Sequence, residues 1–204
     1  MTPAPRRVVL ATRNQHKVDE VRRILADAGV AASALVSLAD FPDVPDVAET
    51  GSTFAENAVL KASTVAAATC LPAVADDSGL SVDALGGMPG VLSARWAGQH
   101  GDDGANLALV LDQLADVPDD RRSAAFVCAA AIAVPDGPVI VEEGLVHGRV
   151  IREPRGTNGF GYDPIFVPDG DTRTTAELPS ADKDAISHRG RAFRALAHHL
   201  RKLT

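Results

Sequence analysis

Residues 8–29 read VVLATRNQHKVDEVRRILADAG. The opening run Val8-Val9-Leu10-Ala11 is continuously apolar, as in a strand covered on both faces. Residues 12–16 are polar. Beyond them Val18, Val21, Ile24, Leu25 and Ala28 recur at helical spacing, and Gly29 stands where a helix C-terminus favours a left-handed residue. The chain therefore opens as strand, polar loop and helix.

Residues 34–38 read as a second strand, and the proline- and acid-rich stretch 40–51 as a loop. Thr53-Phe54-Ala55-Glu56 is a capping-box pattern. It predicts a helix to about Thr69 through Phe54, Ala58, Lys61, Ala62 and Val65. After Pro72, the run Ala73-Val74-Ala75 predicts another buried strand, ending in a polar loop at Asp76-Asp77-Ser78-Gly79. Asp102 or Asp103 can cap a helix carrying Leu107, Val110, Leu111 and Leu114. Residues 124–134 and 139–151 flank the turn sequence Pro135-Asp136-Gly137-Pro138, which predicts an antiparallel pair. Residues 153–163 are glycine-rich and polar, a strand is expected near Ile165-Phe166-Val167, and Phe193, Leu196, Leu200 and Leu203 mark a final helix. Strands and helices mixed in this way, without strict alternation, predict an α/β fold around a mixed β-sheet with flanking helices.

The 204 residues suit one domain or two intimately packed lobes. Residues 1–6 read as a flexible tail. An apolar fraction of 46% with 23% charged residues is that of an ordinary globular chain. The formal net charge of -7 argues against a nucleic-acid polymer as partner, because phosphate-gripping domains are basic. A small phosphorylated ligand needs only a few cations gathered locally. Cys70 and Cys128 form no CxxC pair and read as thiols of a reducing cytoplasm. The short apolar run after the N-terminus is no signal-peptide core, and no segment has the length to cross a membrane, so no membrane partner is expected.

Four polar segments interrupt the apolar pattern. Thr12-Arg13-Asn14-Gln15-His16-Lys17 joins a strand to a helix N-terminus, where free N–H groups and the helix dipole favour an anion. The competing reading is a plain connection with a capping Asn and a solvated Lys. Asp76-Asp77-Ser78-Gly79 places two acids after an apolar strand, which calls for a cation such as Mg²⁺ and offers a proton acceptor for an attacking water. The alternative is an ordinary turn. In residues 49–61, Glu49 can complete a metal site and Lys61 can reach a phosphate, whereas Glu56 already has a capping role and Lys61 alone would pass for a surface lysine. The fourth segment runs from Gly156 to Pro164 and on to Ser187-His188-Arg189-Gly190. Phe160 between glycines can offer its face to a planar ligand, and Arg189 can donate to a keto oxygen. Otherwise Phe160 and Tyr162 are tucked inward. The six histidines form no HExxH pattern and no G-x-S-x-G elbow exists, so zinc and serine-hydrolase chemistry are unsupported.

Taken in order, Thr12-x-Asn14-x-x-Lys17, Glu49-Thr50-Gly51, Glu56-Asn57-Ala58-x-x-Lys61-Ala62, Ala75-Asp76-Asp77-Ser78-Gly79, Gly86-Gly87-x-Pro89-Gly90 with Ser93-Ala94-Arg95, Gly159-Phe160-Gly161-Tyr162-Asp163-Pro164 and Ser187-His188-Arg189-Gly190 closely resemble one family. It is that of the non-canonical purine nucleoside triphosphate pyrophosphatases, the RdgB-type dITP/XTP pyrophosphatases related to inosine triphosphatase. The resemblance implies one nucleotide pyrophosphatase domain over residues 1–204, two-lobed with a substrate cleft between the lobes, a cytoplasmic homodimer, and a Mg²⁺ requirement. By motif position, Thr12, Arg13, Asn14, Gln15, His16 and Lys17 hold the triphosphate with Lys61 assisting. Glu49 and Asp77 hold the metal, Asp77 also accepts the proton, and Ser78 touches substrate. Phe160, Gly161, Tyr162, Asp163, Lys183, His188 and Arg189 contact the nucleotide around its base. Arg13 departs from the Gly common at its position, so the loop must keep φ negative there or carry strain. His16 occupies another position that is often small.

The implied reaction releases monophosphate and pyrophosphate from ITP, dITP or XTP. Its competitors are a Mg²⁺-dependent phosphatase or pyrophosphatase on another nucleotide, and a nucleotide-binding module without turnover.

Overall fold

A computed structural model describes residues 7–204; the flexible tail expected over residues 1–6 lies outside the described residues. Six strands hydrogen-bond in the order β2-β1-β3-β4-β5-β6: β1 Val8–Leu10, β2 Leu35–Ser37, β3 Ala73–Val82, β4 Ser123–Ala133, β5 Val139–Val150 and β6 Phe166–Pro168. β1 runs parallel to β2 and β3, whereas β5 and β6 are antiparallel, so the sheet is mixed as expected. The helices are α1 Gln15–Asp27, α2 Phe54–Thr69, α3 Asp103–Gln113, α4 Ser180–Ile186 and α5 His188–Leu203. Among the described residues, no helix is long and apolar enough to cross a membrane.

The chain divides into two compact units. The first holds residues up to Asp77 together with Cys128–Gly144 and Arg189–Thr204; the second holds Ser78–Val127 and Leu145–His188.

In the first unit, the pleat of β1 and β3 sorts side chains onto two faces. Val8, Leu10 and Val74 pack with Val18, Val21, Ile24 and Leu25 of α1 and with Phe193, Leu196 and Leu200 of α5. Val9, Ala73 and Ala75 pack instead with Ala58, Ala62, Val65 and Ala66 of α2. Helix α1 ends as the sequence suggests, with Gly29 one position past the cap at φ 78°. Its N–H bonds the Ala26 carbonyl, and the Val30 N–H bonds that of Leu25, the paired bonds that satisfy a helix C-terminus. The turn between β4 and β5 closes with Gly137 N–H on the Val134 carbonyl at 2.9 Å, and Asp136 takes the left-handed conformation.

One expectation fails here. Residues 76–79 are not a loop, because β3 continues through them to Val82. Adjacent acids would normally end a buried strand. In this one both side chains meet cations, described below, and the backbone has no reason to leave the sheet. Gly79 lies in that continuation because a Cβ there would run into Ser93 Oγ, which donates to Gly90 O at 2.6 Å and accepts from Leu80 N at 3.0 Å.

The second unit packs Leu80, Val82, Val110, Leu114, Phe126 and Phe166 into its own core. Arg122 is 2% exposed and gives its guanidinium to three carbonyls: Leu114 O at 2.6 Å, Val150 O at 2.9 Å and Ile151 O at 3.3 Å. It thereby caps the C-terminal end of α3 and ties it to the end of β5. Replacing this side chain strands several buried carbonyls. Arg122→Met is expected to lose at least about 2 kcal/mol of unfolding free energy, read as a lower urea midpoint at unchanged slope. A midpoint equal to wild type would refute the assignment.

Candidate active site

The start of α2 is fixed by the predicted capping box. Thr53 Oγ1 accepts from Glu56 N at 3.1 Å, and the Glu56 carboxylate accepts from Thr53 N at 3.2 Å and Ser52 N at 2.6 Å. A helix begun there places Asn57 and Lys61 four residues apart on one face, and both reach Asp77. Lys61 Nζ lies 2.7 Å from Glu49 Oε1 and 3.0 Å from Asp77 Oδ1. Asn57, fully buried, donates to Asp77 Oδ2 at 3.1 Å and accepts from Gly51 N at 2.8 Å. It thus tethers the strand carboxylate to the Glu49-Thr50-Gly51 segment. A Cβ at Gly51 would sit 2.8 Å from that Asn57 oxygen, which accounts for the glycine.

The Asp76 side chain points to the opposite face, as the pleat requires. Lys17 Nζ is 3.2 Å from Asp76 Oδ2. Arg189 reaches the same oxygen through Nε at 3.2 Å and Nη2 at 3.1 Å, and reaches Glu20 Oε2 through Nη1 at 2.7 Å. On the Asp77 side two acids face one ammonium. Burial pushes the Asp77 carboxyl above its usual range, Lys61 pulls it back, and the nearby Glu49 charge raises it further. Burial opposes the Lys61 charge, but Asp77, Asp76 and Glu49 together outweigh it and its pKa rises. Burial acts on both groups against their charged forms, and the acids around Lys61 overcome it there, whereas Lys61 does not overcome it at Asp77.

The phosphate-loop residues are spread among several partners. Asn14 caps α1 by accepting from Lys17 N at 3.2 Å, and Thr12 Oγ1 accepts from Asn14 N at 3.2 Å. Gln15 donates to Asp19 at 2.7 Å, and His16 is exposed. Arg13 bonds Asp46 Oδ1 at 2.9 Å and the Val44 carbonyl. Among the described residues, the non-glycine positions with positive φ are Cys70 and Asp136, so Arg13 keeps φ negative and the loop carries no strain there.

In the second unit Asp163 is the organising acid. Its carboxylate accepts from Lys183 Nζ at 2.6 Å, Phe160 N at 2.8 Å and Thr175 Oγ1 at 2.8 Å. Lys183 Nζ lies 5.1 Å from the centre of the Phe160 ring. A side chain at Gly159 would collide with the Asp163 carboxylate. Gly161 N bonds Asp103 Oδ2 at 2.8 Å, Ser78 is half-buried on β3, and His188 stacks on Phe126 with centroids 4.7 Å apart.

Two residues expected at the nucleotide are buried and have internal partners. Tyr162 is buried, and its hydroxyl donates to the Ser93 carbonyl at 2.9 Å; burial pushes its pKa up. Arg189, expected at the base, is 2% exposed and directs its guanidinium inward to Asp76 and Glu20, because those two buried carboxylates compete for it. His188 and Arg189, neighbours in sequence, belong to different units. Glu20 was missed, and Asn57 stood in a quoted motif without a role. Each is a polar residue on the apolar stripe of its helix, a signal present in the sequence.

Among the described residues no group of three or more His, Cys, Asp or Glu is arranged to hold a metal. The donor set that remains is two carboxylates, Glu49 and Asp77, converging on one ammonium nitrogen. An oxygen-only pair suits Mg²⁺, which keeps waters and takes substrate phosphates rather than a full protein cage.

A family model described as the Ham1 family matches residues 8–199. The chain is 60% identical over 197 residues to a dITP/XTP pyrophosphatase of Streptomyces coelicolor, covering 97% of this chain and 98% of that protein. It is similar in structure to a HAM1 protein from Coxiella burnetii, with a TM-score of 0.85, 43% identity, and coverage of 97% of this chain and 99% of the other. It is also similar to the crystal structure of a nucleoside-triphosphatase / dITP/XTP pyrophosphatase from Mycobacterium abscessus, with a TM-score of 0.76 at 56% identity, covering 93% of this chain and 98% of that one.

The raised Asp77 pKa carries a stability consequence. A carboxyl whose folded pKa lies above its unfolded value destabilises the fold at high pH, and this cost is absent below the unfolded pKa of about 3.9. In chelator, Asp77→Asn is expected to melt at or above wild type at pH 7, with the gap opening as pH rises from about 4. A mutant that melts well below wild type at pH 7 and equals it at pH 4 would reverse the sign and overturn this electrostatic picture.

Proposed function

Because the chain belongs to the Ham1 family, we infer that it hydrolyses non-canonical purine nucleoside triphosphates, ITP, dITP and XTP, to the monophosphate and pyrophosphate. The observation that carries this reading is the convergence of Glu49 and Asp77 on the Lys61 ammonium, beside a strand-to-helix loop that supplies Lys17. Two acids with one base retain a negative charge, which suits a divalent cation accompanying a polyphosphate.

Glu49 and Asp77 would hold Mg²⁺, which when bound neutralises charge on phosphate oxygens. Lys17, Lys61 and the backbone N–H groups of residues 12–17 bind and orient the triphosphate. Asp77 orients a water and accepts its proton as the oxygen attacks the α-phosphorus in line. The bond to the bridging oxygen breaks and pyrophosphate leaves. The raised pKa of Asp77 makes it a stronger base than an ordinary carboxylate. Asn57 fixes its second oxygen.

For the base we propose the second unit: Phe160 as the stacking face, Lys183 as donor to a keto oxygen, Asp163 holding both in place, and His188, stacked on Phe126, as a further contact. A cationic donor favours hypoxanthine and xanthine over adenine, whose amino group would meet another donor. A cytoplasmic homodimer, with residues 1–204 acting as one catalytic domain, completes the proposal. Val139, Val141 and Leu145, exposed along β5, offer apolar surface for a second copy.

The deciding experiment is a substrate panel of ITP, dITP, XTP and the four common triphosphates, with and without Mg²⁺, following pyrophosphate and orthophosphate separately. Pyrophosphate from the three non-canonical substrates, abolished by chelator, is expected. Glu49→Gln should raise the Mg²⁺ concentration for half-maximal rate by about tenfold or more, in line with the loss of one ligand. Orthophosphate as the product, or equal kcat/KM for ATP and ITP, would contradict the assignment.

A further inference from the structure

Lys17 and Glu20 stand one turn apart on α1, and a row of buried charges connects them. Glu20 Oε2 takes Arg189 Nη1 at 2.7 Å, Arg189 holds Asp76 Oδ2 through two nitrogens, and the same Asp76 oxygen lies 3.2 Å from Lys17 Nζ. The signs alternate and cancel. The side chains of Glu20, Arg189 and Asp76 are 3%, 2% and 2% exposed, whereas that of Lys17 is 16% exposed. Solvent therefore reaches the row chiefly at its Lys17 end.

Such a row is a poor way to stabilise a core. Each buried ion carries a desolvation penalty, and apolar residues of similar size usually serve as well or better. Glu20 sits on the face of α1 that buries Val18, Val21, Ile24 and Leu25, where a leucine would fit the pattern. Its other oxygen, Oε1, is the buried side-chain polar atom that has no hydrogen-bond partner among the described residues. A buried, half-satisfied carboxylate that gives the fold so little calls for another role.

We propose that Glu20 is a positioning residue for Lys17, acting through Arg189 and Asp76 to hold the lysine ammonium where the triphosphate meets it. This rests on the reading of Lys17 as a phosphate-binding group. Glu20 anchors one side of the Arg189 guanidinium, so its other side meets Asp76 in a fixed pose. Asp76 in turn presents one oxygen to Lys17. A long, flexible lysine is thereby ordered before substrate arrives, and binding does not have to supply that ordering. Without the Glu20 charge, Arg189 turns wholly onto Asp76, and the hold on Lys17 weakens.

The test is a double-mutant cycle on pyrophosphate release from ITP with saturating Mg²⁺, with melting curves of each protein alongside. Glu20→Gln keeps the size and the acceptor oxygen but removes the charge. It is expected to raise KM about tenfold with kcat within about threefold, the pattern of lost uniform binding. In a Lys17→Met background the same change should have no further effect, because the group it positions is gone. An unchanged KM in Glu20→Gln, or the same tenfold penalty persisting in the Lys17→Met background, overturns the proposal. If Glu20→Gln does not fold, Glu20→Asp, which keeps the charge but shortens the reach, is read through the same cycle with the same outcomes. Wild-type enzyme that released no pyrophosphate from ITP would defeat the functional reading itself; active wild type with an indifferent Glu20 defeats only the positioning role.

Discussion

Two neighbouring carboxylates inside a buried strand are the constraint around which the first unit is built. The pleat of β3 sends Asp76 and Asp77 to opposite faces, and each ion removed from water costs several kcal/mol unless it is compensated. On one face α2 brings Lys61 and Asn57 to Asp77. On the other, α1 and α5 bring Lys17 and Arg189 to Asp76. The capping box of α2, the Asn14 cap of α1 and the close approach of Gly51 set where these helices begin and hence where their cations point.

The two faces differ in charge balance, and the difference separates their roles. On the Asp76 side two acids, Asp76 and Glu20, meet two bases, Lys17 and Arg189. On the Asp77 side burial, with the Glu49 charge adding to it, raises the pKa of Asp77 against the pull of Lys61. The fold thus tolerates an unfavourable charge at the point where the proposed chemistry needs one, a common relation between stability and activity. The second unit has a satisfied acid at its centre instead. Asp163 is fully engaged by Lys183, Thr175 and the Phe160 backbone, which suits a rigid platform for a planar base.

Much of this was legible in the sequence where the signal is local. The capping box at Thr53 and Glu56, the Schellman-type end at Gly29 and the turn at Pro135-Asp136-Gly137-Pro138 each depend on a few adjacent residues, and each appears where it was read. Helix α4 escaped notice because seven residues are too few to show a period. What the sequence did not show at the site is of one kind. Asp76 and Asp77 looked like the end of a strand, and the internal partners of Arg189 and Tyr162 were not visible, because a sequence shows which groups are polar but not which partners lie across the sheet. Those partners come from positions as distant as Glu20 and Arg189. The overlooked Glu20, and Asn57 quoted without a role, are the same lesson in reverse: a polar residue on an apolar stripe marks a buried network even when its partner is unknown.

The central claim is that Asp77, held by Lys61 and Asn57, is the base that activates the attacking water. Its most direct measurement is the single-turnover rate of Asp77→Asn on ITP at saturating Mg²⁺, with substrate occupancy checked independently. The account predicts a fall of about 10²–10⁴-fold with the nucleotide still bound. A rate within about threefold of wild type would contradict it.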